Sequence, residues 1–113
     1  MKKKNNKIIR NYVTRSGKVP FVDWIKNIKD PTTRHRIRSR LDRVELGHYG
    51  EYKLLGDGVC ELKLDFGPGY RLYFAEQDDI IVILLCGGDK KTQGKDIETA
   101  KAYWQDLLER NHG

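Results

Sequence analysis

The stretch VCELKLDFGPGYRLYFAEQDDIIVILLCGG, residues 59–88, decides the fold. It opens with an alternation in which Cys60, Leu62, Leu64 and Phe66 point one way and Glu61, Lys63 and Asp65 the other. A period of two marks a strand with one buried face. Gly67-Pro68-Gly69 breaks the run and reverses the chain. The alternation then resumes, with Tyr70, Leu72 and Phe74 on one face and Arg71, Tyr73 and Ala75 on the other. After a second tight turn at Gln77-Asp78-Asp79, IIVILLC is apolar on both faces, as a central strand should be. Links this short require antiparallel neighbours. With Phe66 and Tyr70 flanking the glycine-proline turn, Asp65 is expected opposite Arg71, and Lys63 opposite Tyr73.

Outward from this block, residues 8–13 read as a first strand and RSGK, residues 15–18, as a turn. In PFVDWIKNI, residues 20–28, Phe21, Trp24, Ile25 and Ile28 recur at helical spacing behind a proline suited to the first helical position. Asp30-Pro31 opens a second helix, as cap and first residue. Ile37, Leu41, Val44 and His48 share its inner face, and Arg34, Arg36, Arg38, Arg40 and Arg43 mostly fill the remainder. Gly56-Asp57-Gly58 is a turn. Asp96 is expected to cap a last helix buried through Ile97, Ala100, Trp104, Leu107 and Leu108. The order β-α-α-β-β-β-α describes one α+β domain over residues 1–113, a mostly antiparallel sheet with helices packed on one face. The second face is then open, and it carries the polar residues of the alternating strands.

A chain of 113 residues with a formal charge of +6 is read as one domain with a polyanionic partner. Cys60 and Cys86 belong to no CxxC pair, and no Cys/His cluster has zinc spacing, so two reduced, buried thiols in a cytoplasmic protein are expected. The basic start lacks the apolar core of a signal peptide, and the apolar run at residues 80–86 is too short to span a bilayer. No metal, cofactor or membrane role is expected. GDKKTQGKD, residues 88–96, imitates a phosphate-binding loop, but five residues separate Gly88 from Gly94, and Asp96 stands where magnesium binding needs a hydroxyl. His35, His48 and His112 form no pair, and no Ser-His-Asp set is legible.

Glu61, Lys63, Asp65, Arg71 and Tyr73 make one polar patch on the open face, and the glycine-loosened loop brings Asp89, Lys90 and Lys91 nearby. Cations and a phenol around a shallow sheet suit a phosphodiester; a solvated face with an Asp65–Arg71 salt bridge is the plain alternative. The arginines of the second helix, with Lys2, Lys3, Lys4 and Lys7, suit nucleic-acid phosphates or form an ordinary wet face.

The segments ELKLDFGPGYRLYF and LLCGGDKKTQ, together with PFVDWI near the amino end, closely resemble the phage and HigB-like “addiction module killer” proteins of the RelE/ParE toxin superfamily. The resemblance covers nearly the whole chain, and the element order is that of the superfamily. It implies the toxin of a type II toxin–antitoxin pair that cleaves messenger RNA on the ribosome, without metal, using the 2′-OH as nucleophile. The implied partner is a helix-turn-helix, HigA-like antitoxin. ParE-like members share the fold and poison DNA gyrase, and a non-catalytic nucleic-acid-binding module is a third reading. The positions carried over are Lys63 and Arg71, with Lys90 and Lys91 loosely matching the basic loop after the fourth strand; Lys63, Arg71 and Lys90 are expected in catalysis and Lys91 in RNA binding, and Arg36, Arg40 and Arg43 are expected to bind RNA from the basic face of the second helix. Glu61 stands where the RelE pattern has a second lysine, which makes it a rival base to Lys63. The RelE tyrosine near the start of the last helix falls around Asp96 or Ile97, so Tyr73 is the expected source of a phenol.

Overall fold

The structure, a computed structural model, describes residues 6–112, so Lys2, Lys3 and Lys4 lie outside it, as does the His112 side chain. The chain runs β1 (Ile8–Asn11), α1 (Pro20–Asn27), α2 (Pro31–Glu45), β2 (Tyr52–Gly56), β3 (Val59–Lys63), β4 (Arg71–Gln77), β5 (Ile81–Gly88), a 3-10 turn (Lys90–Thr92) and α3 (Gln93–His112). The sheet order is β1-β5-β4-β3-β2. β1 is parallel to β5, and every other pairing is antiparallel. The α+β class and the mostly antiparallel sheet are as expected. Strand β2 is an addition that the sequence reading missed. It is an edge strand without clean alternation, and its Leu54 is 77% exposed.

Local chemistry sets the boundaries. Pro20 and Pro31 begin α1 and α2, and the Asp30 carboxylate accepts the Thr32 amide at 3.2 Å. Asp78 and Asp79 both take left-handed backbone, which matches the right-handed twist of the hairpin they close. Asp89, not Asp96, is the terminal cap: its side chain accepts the amides of Lys91 and Thr92, and its own amide donates to Thr92 Oγ1. The resulting 3-10 turn leads straight into α3.

The expectation that all helices share one face is corrected. Phe21 of α1 and Ile37 and Val44 of α2 pack with Cys60, Leu62, Leu72, Phe74, Val82 and Leu84. Ala100 and Trp104 of α3 pack on the opposite face with Val59, Tyr73, Ala75, Ile83, Leu85 and Cys86. The reason lies in β5, whose two faces are both apolar and both need cover. A shift in the β4–β5 register between Tyr73 and Phe74 turns Leu85 and Cys86 together toward α3. The two thiols are free, buried and on opposite faces.

At the glycine pair ending β5 both helical layers approach the strand closely. A methyl group on Gly87 would overlap the Trp24 ring of α1, and one on Gly88 would overlap the Asp96 carboxylate of α3. Farther along, α3 is tied to the segment that follows β1: Tyr103 stacks on Tyr12 with ring centroids 4.8 Å apart, and Asp106 accepts Tyr12 Oη at 2.6 Å and Arg15 Nε at 2.7 Å. Those hydrogen bonds, from Tyr12 first and then Arg15, hold the Asp106 carboxyl below the usual carboxylate range, while burial and the same bond push the Tyr12 phenol up to about 12.

Two outcomes follow. Gly87→Ala should lower stability by about 1–3 kcal/mol, read from the urea midpoint, because the added methyl forces a packed indole to move. A carboxyl whose pKa is depressed by folding contributes stability above its unfolded value of about 3.9 and loses it as the pH falls through the folded value. The stability gap between wild type and Asp106→Asn should therefore be full near neutrality and close below about pH 4.

Candidate functional site

The β3–β4 ladder pairs Lys63 with Arg71 and Glu61 with Tyr73, and the Leu64 amide donates to the Tyr70 carbonyl at 3.0 Å. The sequence register is thus corrected by two residues: Asp65 lies in the loop, not opposite Arg71. The reversal is longer than Gly67-Pro68-Gly69 alone, because both glycines take left-handed backbone and the chain turns through residues 65–69. A shift of two preserves which side chains share a face. Glu61, Lys63, Arg71 and Tyr73 therefore do come together.

They do not form an open patch, because α3 covers that face. Tyr73 is fully buried, Glu61 is 3% exposed and Arg71 is 8% exposed. Glu61 Oε2 accepts Tyr73 Oη at 3.2 Å and Gln93 Nε2 at 2.8 Å, and lies 3.8 Å from Arg71 Nε. Its other oxygen, Oε1, lies 3.6 Å from Lys53 Nζ. Arg71 donates through Nη1 to the Gly69 carbonyl at 2.7 Å, while its buried Nε makes no hydrogen bond. Arg71 is thus held at both ends of its guanidinium, by its own loop and by the field of Glu61.

Above this group is a pocket of about 140 Å³ lined by Glu51, Tyr52, Lys53, Glu61, Lys63 and Arg71. Lys63 is exposed at its rim. Lys90 stands next to it: a methyl on Gly69 would fall 3.1 Å from Arg71 Nη1 and 3.3 Å from Lys90 Cβ. The expected role of Tyr73 as a phenol facing substrate is corrected. Burial, and then the Glu61 charge, push its pKa far up, so it is a permanent donor fixing Glu61 in place. It is a positioning residue.

The sequence reading missed two members. Gln93, on the first turn of α3, comes from 32 residues away to hold Glu61, and no local pattern marks it. Lys53 belongs to the unread edge strand. Lys91 is exposed on the 3-10 turn and does not line the pocket. Arg36, Arg40 and Arg43 stand apart, in a second pocket of about 340 Å³ with Ser39, Asp65 and Phe66. Among the described residues, no group of three or more His, Cys, Asp or Glu could hold a metal ion, and no helix is long and apolar enough to cross a membrane.

The fold and this pocket define a small α+β protein with a cation-rimmed carboxylate. No family model matches the chain. It is 44% identical over 87 residues to an uncharacterized protein of Haemophilus influenzae, an alignment covering 77% of this chain and 88% of that protein. The chain belongs to the same family as that protein.

Tyr73→Phe keeps the ring and removes one donor from a buried carboxylate. It should cost about 1.5–3 kcal/mol in urea unfolding, the range for a hydrogen bond to a charged group.

Proposed function

We propose that this protein is the toxin of a type II toxin–antitoxin pair, a cytoplasmic endoribonuclease that cuts messenger RNA on the ribosome and is neutralised by a helix-turn-helix, HigA-like antitoxin. The observation that carries the reading is the gathering of Lys53, Lys63 and Arg71 around the Glu61 carboxylate at one small pocket, with Lys90 beside it. The net charge of +6 and the resemblance of ELKLDFGPGYRLYF and LLCGGDKKTQ to the RelE/ParE superfamily support it.

Cleavage without metal needs a base for the 2′-OH, cations for the phosphorane and a proton for the leaving 5′-oxygen. Glu61 is the better placed base. Tyr73, Gln93 and Arg71 occupy its Oε2 side, which leaves Oε1 to accept the 2′-OH proton once Lys53 moves onto a phosphate. The 2′-oxygen then attacks the adjacent phosphorus, a 2′,3′-cyclic phosphate forms, and the P–O5′ bond breaks. Arg71 clamps the equatorial oxygens, a task suited to a planar donor that keeps its charge. Lys63 protonates the departing oxygen, and Lys90 adds charge.

Purified protein added to a translating extract should create new 5′ ends on a defined messenger, mapped by primer extension. Arg71→Ala and Glu61→Gln should each reduce them by about 10²–10³-fold, the usual loss for a transition-state contact. Intact messenger beside unimpaired translation would sink the nuclease reading and favour ParE-like inhibition of gyrase.

A further inference from the structure

We propose that the arginine-lined pocket between α2 and the β3–β4 loop seats one nucleotide of single-stranded RNA, with guanine as the preferred base. The inference deepens the reading of RNA as ligand and rests on it. Arg36, Ser39, Arg40 and Arg43 recur at helical spacing, so one face of α2 forms a wall; Asp65 and Phe66 of the loop form the other. Its volume of about 340 Å³ is that of a small-ligand pocket.

The side chains divide into different tasks. Arg36 lies over the Phe66 ring, with Cζ 4.1 Å from the centroid, and is itself exposed. A guanidinium laid on an aromatic ring presents its outer face as a shelf on which a base stacks. Arg40 builds the floor, donating through Nη2 to the carbonyls of Tyr49 at 3.0 Å and Glu51 at 3.4 Å. Arg43 is exposed at the wall and free to meet a phosphate. Asp65 is exposed, lines the pocket and feels the positive charge of Arg40 in its floor.

Asp65 selects the part of the nucleotide that faces it. A carboxylate repels phosphate, so it meets the base. Guanine offers N1–H and the 2-amino group side by side, a match to two carboxylate oxygens, whereas uracil offers one N–H between two carbonyl oxygens. The two pockets lie on opposite faces of the sheet and are linked through the Glu51 backbone. The Glu51 carbonyl that Arg40 holds also accepts the Lys63 amide at 3.3 Å, and Glu51 lines the Glu61 pocket.

The test is binding without cleavage. Fluorescein-labelled ten-nucleotide 2′-O-methyl RNAs, one all-uridine and one with two separated guanosines, are titrated with the full chain at fixed salt by anisotropy. The guanosine RNA should bind about tenfold more tightly, a typical discrimination for a bidentate base contact. Asp65→Asn should abolish that ratio, and Arg43→Gln should weaken both RNAs while preserving it. Both residues are exposed, so the variants should fold; thermal melts confirm it. Equal binding of the two RNAs by wild type, or no binding of either, overturns the inference. So does a ratio that survives Asp65→Asn. A guanosine preference lost in Asp65→Asn, in a protein that cuts no messenger, would keep this seat and remove the nuclease reading.

Discussion

Strand β5 is apolar on both faces, and that constraint organises the molecule. A sheet with such a strand in its interior needs a helical layer on each side. α1 and α2 supply one and α3 the other. The glycine pair at the end of β5 lets the layers approach, Trp24 from one side and the start of α3 from the other. The loop that follows is not loose. Asp89 caps it reciprocally with Thr92, so α3 begins at a defined angle with Gln93 aimed at the sheet.

The site is a consequence of that closure. Where α3 covers the sheet completely, the inward residues are Val59, Tyr73, Ala75 and Ala100. Where its first turn ends, β3 and β4 carry Glu61, Lys63 and Arg71 on the same face. A carboxylate at this boundary is held by two neutral donors and flanked by two cations. The donors on one oxygen and the cations around it hold the carboxylate in place. The proposed cleavage uses that arrangement: a fixed acceptor beside cations that can turn to a polyanion.

The positive charge is sorted into distinct uses. Arg40 is spent on backbone carbonyls, and Lys7 on Glu76 and the Asp79 carbonyl. Arg15 and Arg110 brace Asp106. Arg36, Arg43, Lys63 and Lys90 are among the cations exposed to solvent, the first three lining the two pockets.

By itself the sequence determined the elements that repeat with a period. The alternation of residues 60–66 and 70–75, the apolar run of β5 and the caps at Asp30 and the prolines are local facts, and each reappears in place. The membership of Glu61, Lys63, Arg71 and Tyr73 on one face was legible for the same reason, because parity survives a register shift of two. Edge strand β2 was not legible, since exposed side chains impose no alternation. Nor was the placement of α3, because an apolar stripe states that a helix is buried and not against which face. That placement turned Tyr73 from an exposed phenol into a buried donor and brought Gln93 to Glu61. It arises from contacts between residues far apart in the chain, which only the folded packing brings within reach.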